Sequence, residues 1–219
     1  GDKTSAFGGV IAFNKTVTKE LVQQIVDNQF VEIVIAPEFE LDSLKINNLN
    51  KNIRFLEAEL STTVSTKNYD WKTVSSGLLI QEKDCAQVEK FEVVSTKKPT
   101  DNQRENLMFA WKVSSYVKSN AIVLVSGQQT IGIGAGQMSR VDSVNLAISK
   151  AKQAGFNLQD ICMASDGFFP FKDGVNIAAQ NGVGAVIQPG GSIRDEEVIT
   201  EANENGMVMV FTGVRHFRH

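Results

Sequence analysis

Between residues 161 and 211 the chain alternates short apolar runs with segments of helical period, and few folds accommodate that alternation with such short connections. The expected order is strand 161–164, helix 175–180, strand 184–188, helix 194–205 and strand 207–211, with Gly182 and Gly206 where the helices should stop. Strands separated by helices and short loops predict a parallel sheet covered by helices, the α/β class.

The preceding stretch extends the pattern. A helix is expected over 101–117, because Leu107, Ala110, Trp111, Ser114 and Val117 recur at i, i+3, i+4 spacing and should face the core. Two β-rich runs, 121–125 and 130–134, flank Ser126-Gly127-Gln128-Gln129, which suits a hairpin, and a helix over 139–154 follows. Nearer the start, strand 10–13 leads to a helix capped by Thr18 and running through Asn28, with Leu21, Val22, Ile25 and Val26 on one face. Strand 31–36 ends at Pro37, a short helix is expected over 41–49, and a third strand over 53–58. Residues 59–100 carry polar turns and short alternating stretches, 73–81 and 91–95, read as antiparallel strands and a connector. The chain therefore divides into a first α/β part, 1–100, and a second, 101–219, each with a strand-helix-strand core that hints at duplication.

Composition narrows the partners. The 219 residues are 42% hydrophobic and 21% charged with a formal net charge of −3, and the basic residues are scattered except at the C-terminus. Nucleic acid and anionic membrane surfaces call for clustered Lys and Arg, so neither is an expected partner. Apolar runs stop far short of the ~20 residues of a membrane span, and no secretory pattern opens the chain, so a cytoplasmic protein is expected. Gly1 stands in place of Met, and the chain enters its first strand almost at once, which reads as a piece of something longer. Cys85 and Cys162 are far apart with no metal-binding spacing and are expected to be core thiols.

Chemistry has several candidate locations. In Ser165-Asp166-Gly167-Phe168-Phe169-Pro170-Phe171-Lys172-Asp173, three aromatics, a proline and two carboxylates follow a strand end, where α/β proteins bind ligands. The aromatics are either pocket walls or a cap on the core. Gly132, Gly134 and Gly136 in TIGIGAGQMSR resemble a phosphate loop without its lysine, and the simpler reading is close approach of a strand to another backbone. Gln188-Pro189-Gly190-Gly191-Ser192 joins a strand to a helix and either holds an anion or caps the helix. The tail Arg215-His216-Phe217-Arg218-His219 leaves the last strand at its carboxyl end, where Arg215 could meet a phosphate and a histidine a substrate. Neither the HxE with PCxxC pattern of zinc deaminases nor a GxSxG elbow is present.

Taken in order, DKTSAFGG, SNAIVLV, TIGIGAGQMSR, MASDGFFPFKD, VIQPGGS and VRHFRH resemble the transformylase domain of the bifunctional AICAR transformylase/IMP cyclohydrolase family, essentially end to end. The resemblance implies a cytidine-deaminase-like three-layer α/β sandwich present twice, and a homodimer with active sites at the subunit interface. It also implies formyl transfer from 10-formyltetrahydrofolate to the 5-amino group of AICAR. Carried over by residue, Asn120 lies beside the reacting formyl group and Asp173 near the amine. Phe168, Pro170 and Phe171 form walls of the AICAR and folate pocket, Arg215, Phe217 and His219 bind AICAR, and Ser192 is a further substrate contact. Ser139 and Arg140 reach folate in the neighbouring subunit, Glu32 stands at the pterin, and Asp166 belongs to a structural monovalent-cation site. The family's lysine-histidine pair, in a KHANPCG-like motif upstream of DKTSAFGG, has no counterpart in this sequence. The chain is thus expected to be part of a longer enzyme, or alternatively a catalytically inactive ligand-binding and dimerisation fragment.

Overall fold

The computed structural model describes residues 7–40, 42, 44–46, 52–59, 69–84 and 90–218. They fall into two compact units, Gly1–Asn68 and Tyr69–His219. Sequence composition put the change near residue 100. The short strand Glu92–Val93 pairs with a strand of the second unit's sheet, so the connector before residue 100 contributes to that unit.

In the first unit three strands, β1 (Gly9–Ala12), β2 (Val31–Ala36) and β3 (Arg54–Glu57), form a parallel sheet in that order, and α1 (Lys19–Asn28) connects the first two. Thr18 caps α1 as its composition predicts, its Oγ accepting the Leu21 N–H at 3.3 Å. Val22 and Ile25 of α1 bury against Val31, Val34 and Ala36 of β2 through two adjoining apolar clusters. The helix expected over 41–49 lies largely outside the described residues. Residues 42 and 44–46 are turn and irregular, and Asp42 has φ 71°, which no helix accepts.

The second unit opens with an antiparallel hairpin, β4 (Tyr69–Val74) and β5 (Gly77–Glu82), turning at Ser75 and Ser76 within the stretch 73–81, in keeping with the antiparallel strands expected of this region. The principal sheet then assembles from β6 (Glu92–Val93), β7 (Ile122–Ser126), β8 (Gln129–Gly134), β9 (Ile161–Ser165), β10 (Val183–Gln188) and β11 (Val208–Phe211), in the order β6-β11-β10-β9-β7-β8. Strands β9, β10 and β11 are parallel to one another; β7, β8 and β6 supply the antiparallel pairings.

Alternation along these strands sets the layers. Val123, Val125, Cys162, Ala164, Ala185, Ile187, Val208 and Val210 face α2 (Asp101–Ser114) through Leu107, Ala110 and Trp111. Ile122, Leu124, Met163, Val186 and Met209 face the other way, toward α3 (Arg140–Gln153), α4 (Asp173–Gln180) and α5 (Asp195–Glu204). The central strands β7, β9, β10 and β11 are apolar on both sides because both faces are covered. A capping box starts α2: Gln103 N–H donates to Thr100 Oγ at 3.2 Å and Thr100 N–H to Gln103 Oε1 at 3.1 Å. The helix stops at Ser114, three residues before the expected end, where the hydroxyls of Ser114 and Ser115 donate to the carbonyls of Trp111 and Lys112 at 2.7 and 2.8 Å.

Two glycines of the GxGxG run settle their role by geometry. A Cβ on Gly132 would collide with the Ala147 carbonyl oxygen, and one on Gly134 would lie 2.6 Å from the Ser143 carbonyl carbon. Strand β8 therefore rests on the backbone of α3, which is the close-approach reading.

Burial pushes the Cys162 thiol up to about 12, with Asp160 nearby adding to the effect. Cys162 is expected to resist alkylation at neutral pH in the folded chain and to react on denaturation, as a mass-shift assay would show. Cys85 lies outside the described residues.

The link between α4 and α5 is electrostatic. The Glu201 carboxylate accepts from Asn176 Nδ2, Asn205 Nδ2 at 3.0 Å and Lys172 Nζ at 3.1 Å, which holds its carboxyl below the usual value, the Asn176 bond being the leading cause. The same pair raises the Lys172 ammonium. Since Glu201's folded value lies below the ordinary 4.5, its contribution is complete above about pH 4.5 and is lost as pH falls through the lowered value. Glu201→Ala should cost about 2 kcal/mol at neutral pH by urea denaturation, and the gap from wild type should narrow in acid.

Candidate ligand site

Register brings five chain segments to one edge of the six-stranded sheet. Ile187 pairs with Ala164 in the parallel β9–β10 ladder, so Ser165 and Gln188 end side by side. Ile122 of the antiparallel β7 stands opposite both Ser165 and Gly134. The entry to β7, the exit of β8 leading into α3, and the segments after β9, β10 and β11 therefore share that edge. Ligands bind in such crevices of α/β sheets, where backbone groups released from the ladder and loop side chains converge.

A cavity of about 390 Å³ opens there, lined by Asn120, Met138, Ser139, Arg140, Val141 and the run Phe168, Phe169, Pro170 and Phe171. Six of these, Asn120, Ser139, Arg140, Phe168, Pro170 and Phe171, are residues singled out from the sequence. The aromatic loop combines its two alternative readings. Phe169 is 1% exposed and packs into the core, in space that Gly174 leaves by lacking a Cβ, while Phe168 and Phe171 are 38% and 50% exposed and turn outward.

Several contacts fix this loop. Phe169 N–H donates to the buried Gln188 Oε1 at 2.9 Å, Ser165 Oγ donates to the Gly167 carbonyl at 2.7 Å, and Arg140 Nε donates to the Phe168 carbonyl at 3.0 Å. Arg194 stacks over the Phe171 ring, its guanidinium carbon 4.7 Å from the centroid. Asn120 is held as firmly: its Nδ2 donates to the carbonyls of Gln137 at 2.9 Å and Met138 at 3.1 Å, and its own carbonyl accepts from Ser143 Oγ at 2.8 Å. Two carbonyl oxygens can only accept, so the amide's NH2 must face them and Oδ1 turns the other way. Ser139 is the N-cap residue of α3 but makes no side-chain cap bond, which leaves its hydroxyl at the cavity wall for a ligand.

The remaining expected site residues distribute as follows. Asp173 opens α4, exposed, two residues beyond Phe171 and outside the cavity lining. Ser192 lies in the turn before α5, whose N-cap is Arg194 and carries no side-chain cap bond: the Gly191 and Ser192 N–H groups donate to the Asp195 carboxylate at 2.6 and 3.1 Å, and Arg194 N–H to Ser192 Oγ at 3.1 Å, so the chain's own carboxylate takes the place an anion would occupy. The tail runs beside the loop, with His216 N–H donating to the Asp166 carbonyl at 2.9 Å and Arg218 N–H to Ser119 Oγ at 3.1 Å. Arg215 stacks over Phe217 at 4.9 Å, neither lining the cavity, and Phe217 lies against Gly167. His216 is buried, its Nδ1 2.7 Å from Asp84 Oδ2 and its ring 4.6 Å from that of Trp111, so it holds the tail down rather than facing a ligand. His219 lies outside the described residues. Glu32 is on β2 of the first unit, directed toward Gly8.

The AICARFT/IMPCHase bienzyme family model matches residues 1–150. The chain belongs to this family. The bifunctional purine biosynthesis protein PurH of Neisseria gonorrhoeae is 50% identical over 220 residues, covering 100% of this chain and 41% of that protein. PurH of Xylella fastidiosa is 51% identical over 221 residues, covering 100% and 42%. The chain thus spans about two-fifths of the length of the curated relatives it matches. Gln188 and Ser119, which brace the site in this family member, stand in the motifs VIQPGGS and SNAIVLV, but neither motif shows that bracing role. A glutamine ending an otherwise apolar strand was the one available signal, since a buried amide has to find partners. Among the described residues no cluster of His, Cys, Asp and Glu could hold a metal ion, and no helix is long and apolar enough to cross a membrane.

Proposed function

We propose that the chain supplies the AICAR-binding wall of a formyltransferase of purine biosynthesis, with 10-formyltetrahydrofolate as cosubstrate. The observation that carries this reading is the cavity that brings Asn120, Ser139, Arg140, Phe168, Pro170 and Phe171 together, in a family whose relatives are bifunctional purine biosynthesis proteins. Phe168 and Phe171, held by the fixed loop, offer faces for the planar heterocycles, and Ser139 and Arg140 offer donors at the start of α3. Arg215, Phe217 and His219 extend the AICAR contacts from the tail, Glu32 meets the pterin, Ser192 is a peripheral contact, and the site is completed in a homodimer. In the reaction the 5-amino nitrogen bonds to the formyl carbon, the bond from that carbon to N10 of the folate breaks, and the proton lost by the amine is balanced by one gained at N10. Asn120 Oδ1, turned away from the carbonyls that hold its NH2, accepts a hydrogen bond from the attacking amine and orients it. Asp173 provides a carboxylate near that nitrogen.

Calorimetric titration of the chain with AICAR tests the binding half of this reading. Saturable binding is expected, and Phe168→Ala should weaken it about tenfold or more, since stacking of a heterocycle on an aromatic ring contributes about 1–3 kcal/mol. Equal affinity of wild type and Phe168→Ala would remove AICAR from this cavity.

A further inference from the structure

Asp166 is a buried carboxylate with a hydrogen-bond donor at each oxygen. Its side chain is 0% exposed at the end of β9, where the family resemblance implies a monovalent cation. The groups around it do not fit an added ion. Oδ1 accepts from Arg140 Nη1 at 2.7 Å and Oδ2 from Ser119 Oγ at 2.6 Å. Ser119 has only one hydroxyl proton, given to Asp166, and its oxygen already accepts the Arg218 N–H at 3.1 Å. A hard cation is held by oxygens that still carry uncompensated negative charge, and here each carboxylate oxygen already faces a donor, one of them a guanidinium whose positive charge neutralises the carboxylate and repels a second cation.

We propose that the Arg140 guanidinium is itself the cation of this site, standing where a metal ion would otherwise neutralise Asp166. The Arg140 side chain is 10% exposed, so the pair is shielded from water on both sides. Its donors suit the place better than a spherical ion, because Nη1 meets Asp166 while Nε reaches the Phe168 carbonyl at 3.0 Å. Gly167 leaves the room: a Cβ there would run into Arg140 Nη2. The pair consequently ties the entry of β7, the start of α3 and the aromatic loop together, and the carbonyl of Asp166 anchors the tail through His216. This assignment is independent of which ligand the cavity takes.

The test compares urea midpoints of the 219-residue chain in potassium, sodium and tetramethylammonium chloride at one ionic strength. Wild type should show the same midpoint in all three. Arg140→Met should lower the midpoint, because a buried carboxylate loses its partner, and Asp166→Asn combined with Arg140→Met should regain part of that loss, because no buried charge is left unpaired. A wild-type midpoint that rises in potassium over tetramethylammonium overturns the proposal, as does an Arg140→Met chain with the wild-type midpoint. If Arg140→Met fails to fold, the wild-type comparison decides.

Discussion

Gly134→Ala should lower the stability of the second unit by about 3 kcal/mol, the upper part of the range for overpacking. The added methyl meets the Ser143 carbonyl group, with its carbon 2.6 Å and its Cα 2.8 Å away. Those atoms belong to the backbone of α3, which cannot rotate aside as a side chain would. Either β8 leaves the sheet or α3 shifts, and α3 begins with the Ser139 and Arg140 that line the cavity. A loss of that size is a large part of the ~5–15 kcal/mol that holds a domain folded. Urea denaturation should show a lower midpoint with an unchanged slope. Gly77→Ala is the matched control, having nothing within 4 Å of the new methyl, and should stay within about 0.5 kcal/mol of wild type. Equal effects at both positions would contradict the packing account of the glycine run.

Asn120→Ala, made in a catalytically competent protein containing this chain, should lower formyl transfer about 10²-fold through loss of positioning while changing AICAR affinity much less. The expectation rests on the fixed amide. With its NH2 committed to the Gln137 and Met138 carbonyls, Oδ1 is pre-set and costs no reorganisation when the amine arrives. Asn120→Asp should fail as well, despite keeping an acceptor, because a carboxylate oxygen would then face two carbonyl oxygens. A variant that binds AICAR poorly but turns over normally at saturation would reassign Asn120 to binding. Initial-rate measurements at varied AICAR separate the two outcomes.

The architecture of the second unit was legible because apolar period and punctuation agree along it. Strands β9, β10 and β11 are apolar up to the terminal Ser165 and Gln188, which periodicity reads without ambiguity once Gly182 and Gly206 mark the helix ends. Errors arose where local chemistry competed with period. The apolar stripe of α2 continues to Val117, yet Ser114 and Ser115 turn back on the preceding carbonyls and end the helix. Within 73–81 alternation announces antiparallel strands, and two serines place the turn of that hairpin, whose residues are all exposed. At the site, the aromatic loop could be located from sequence, while the partition of Phe169 inward and Phe168 and Phe171 outward depends on Gln188 and Gly174, residues distant or inconspicuous in the chain. His216 shows the limit most clearly. A histidine in a terminal tail looks available to a ligand, and only the fold brings Asp84 and Trp111 around it.

A crystal structure of the chain grown with AICAR tests the central claim most directly. The account predicts the heterocycle against Phe168 and Phe171, with its 5-amino group within hydrogen-bond distance of Asn120 Oδ1 and the start of α3 alongside. AICAR bound away from the edge shared by β7, β9 and α3, with this cavity holding only solvent, would contradict it.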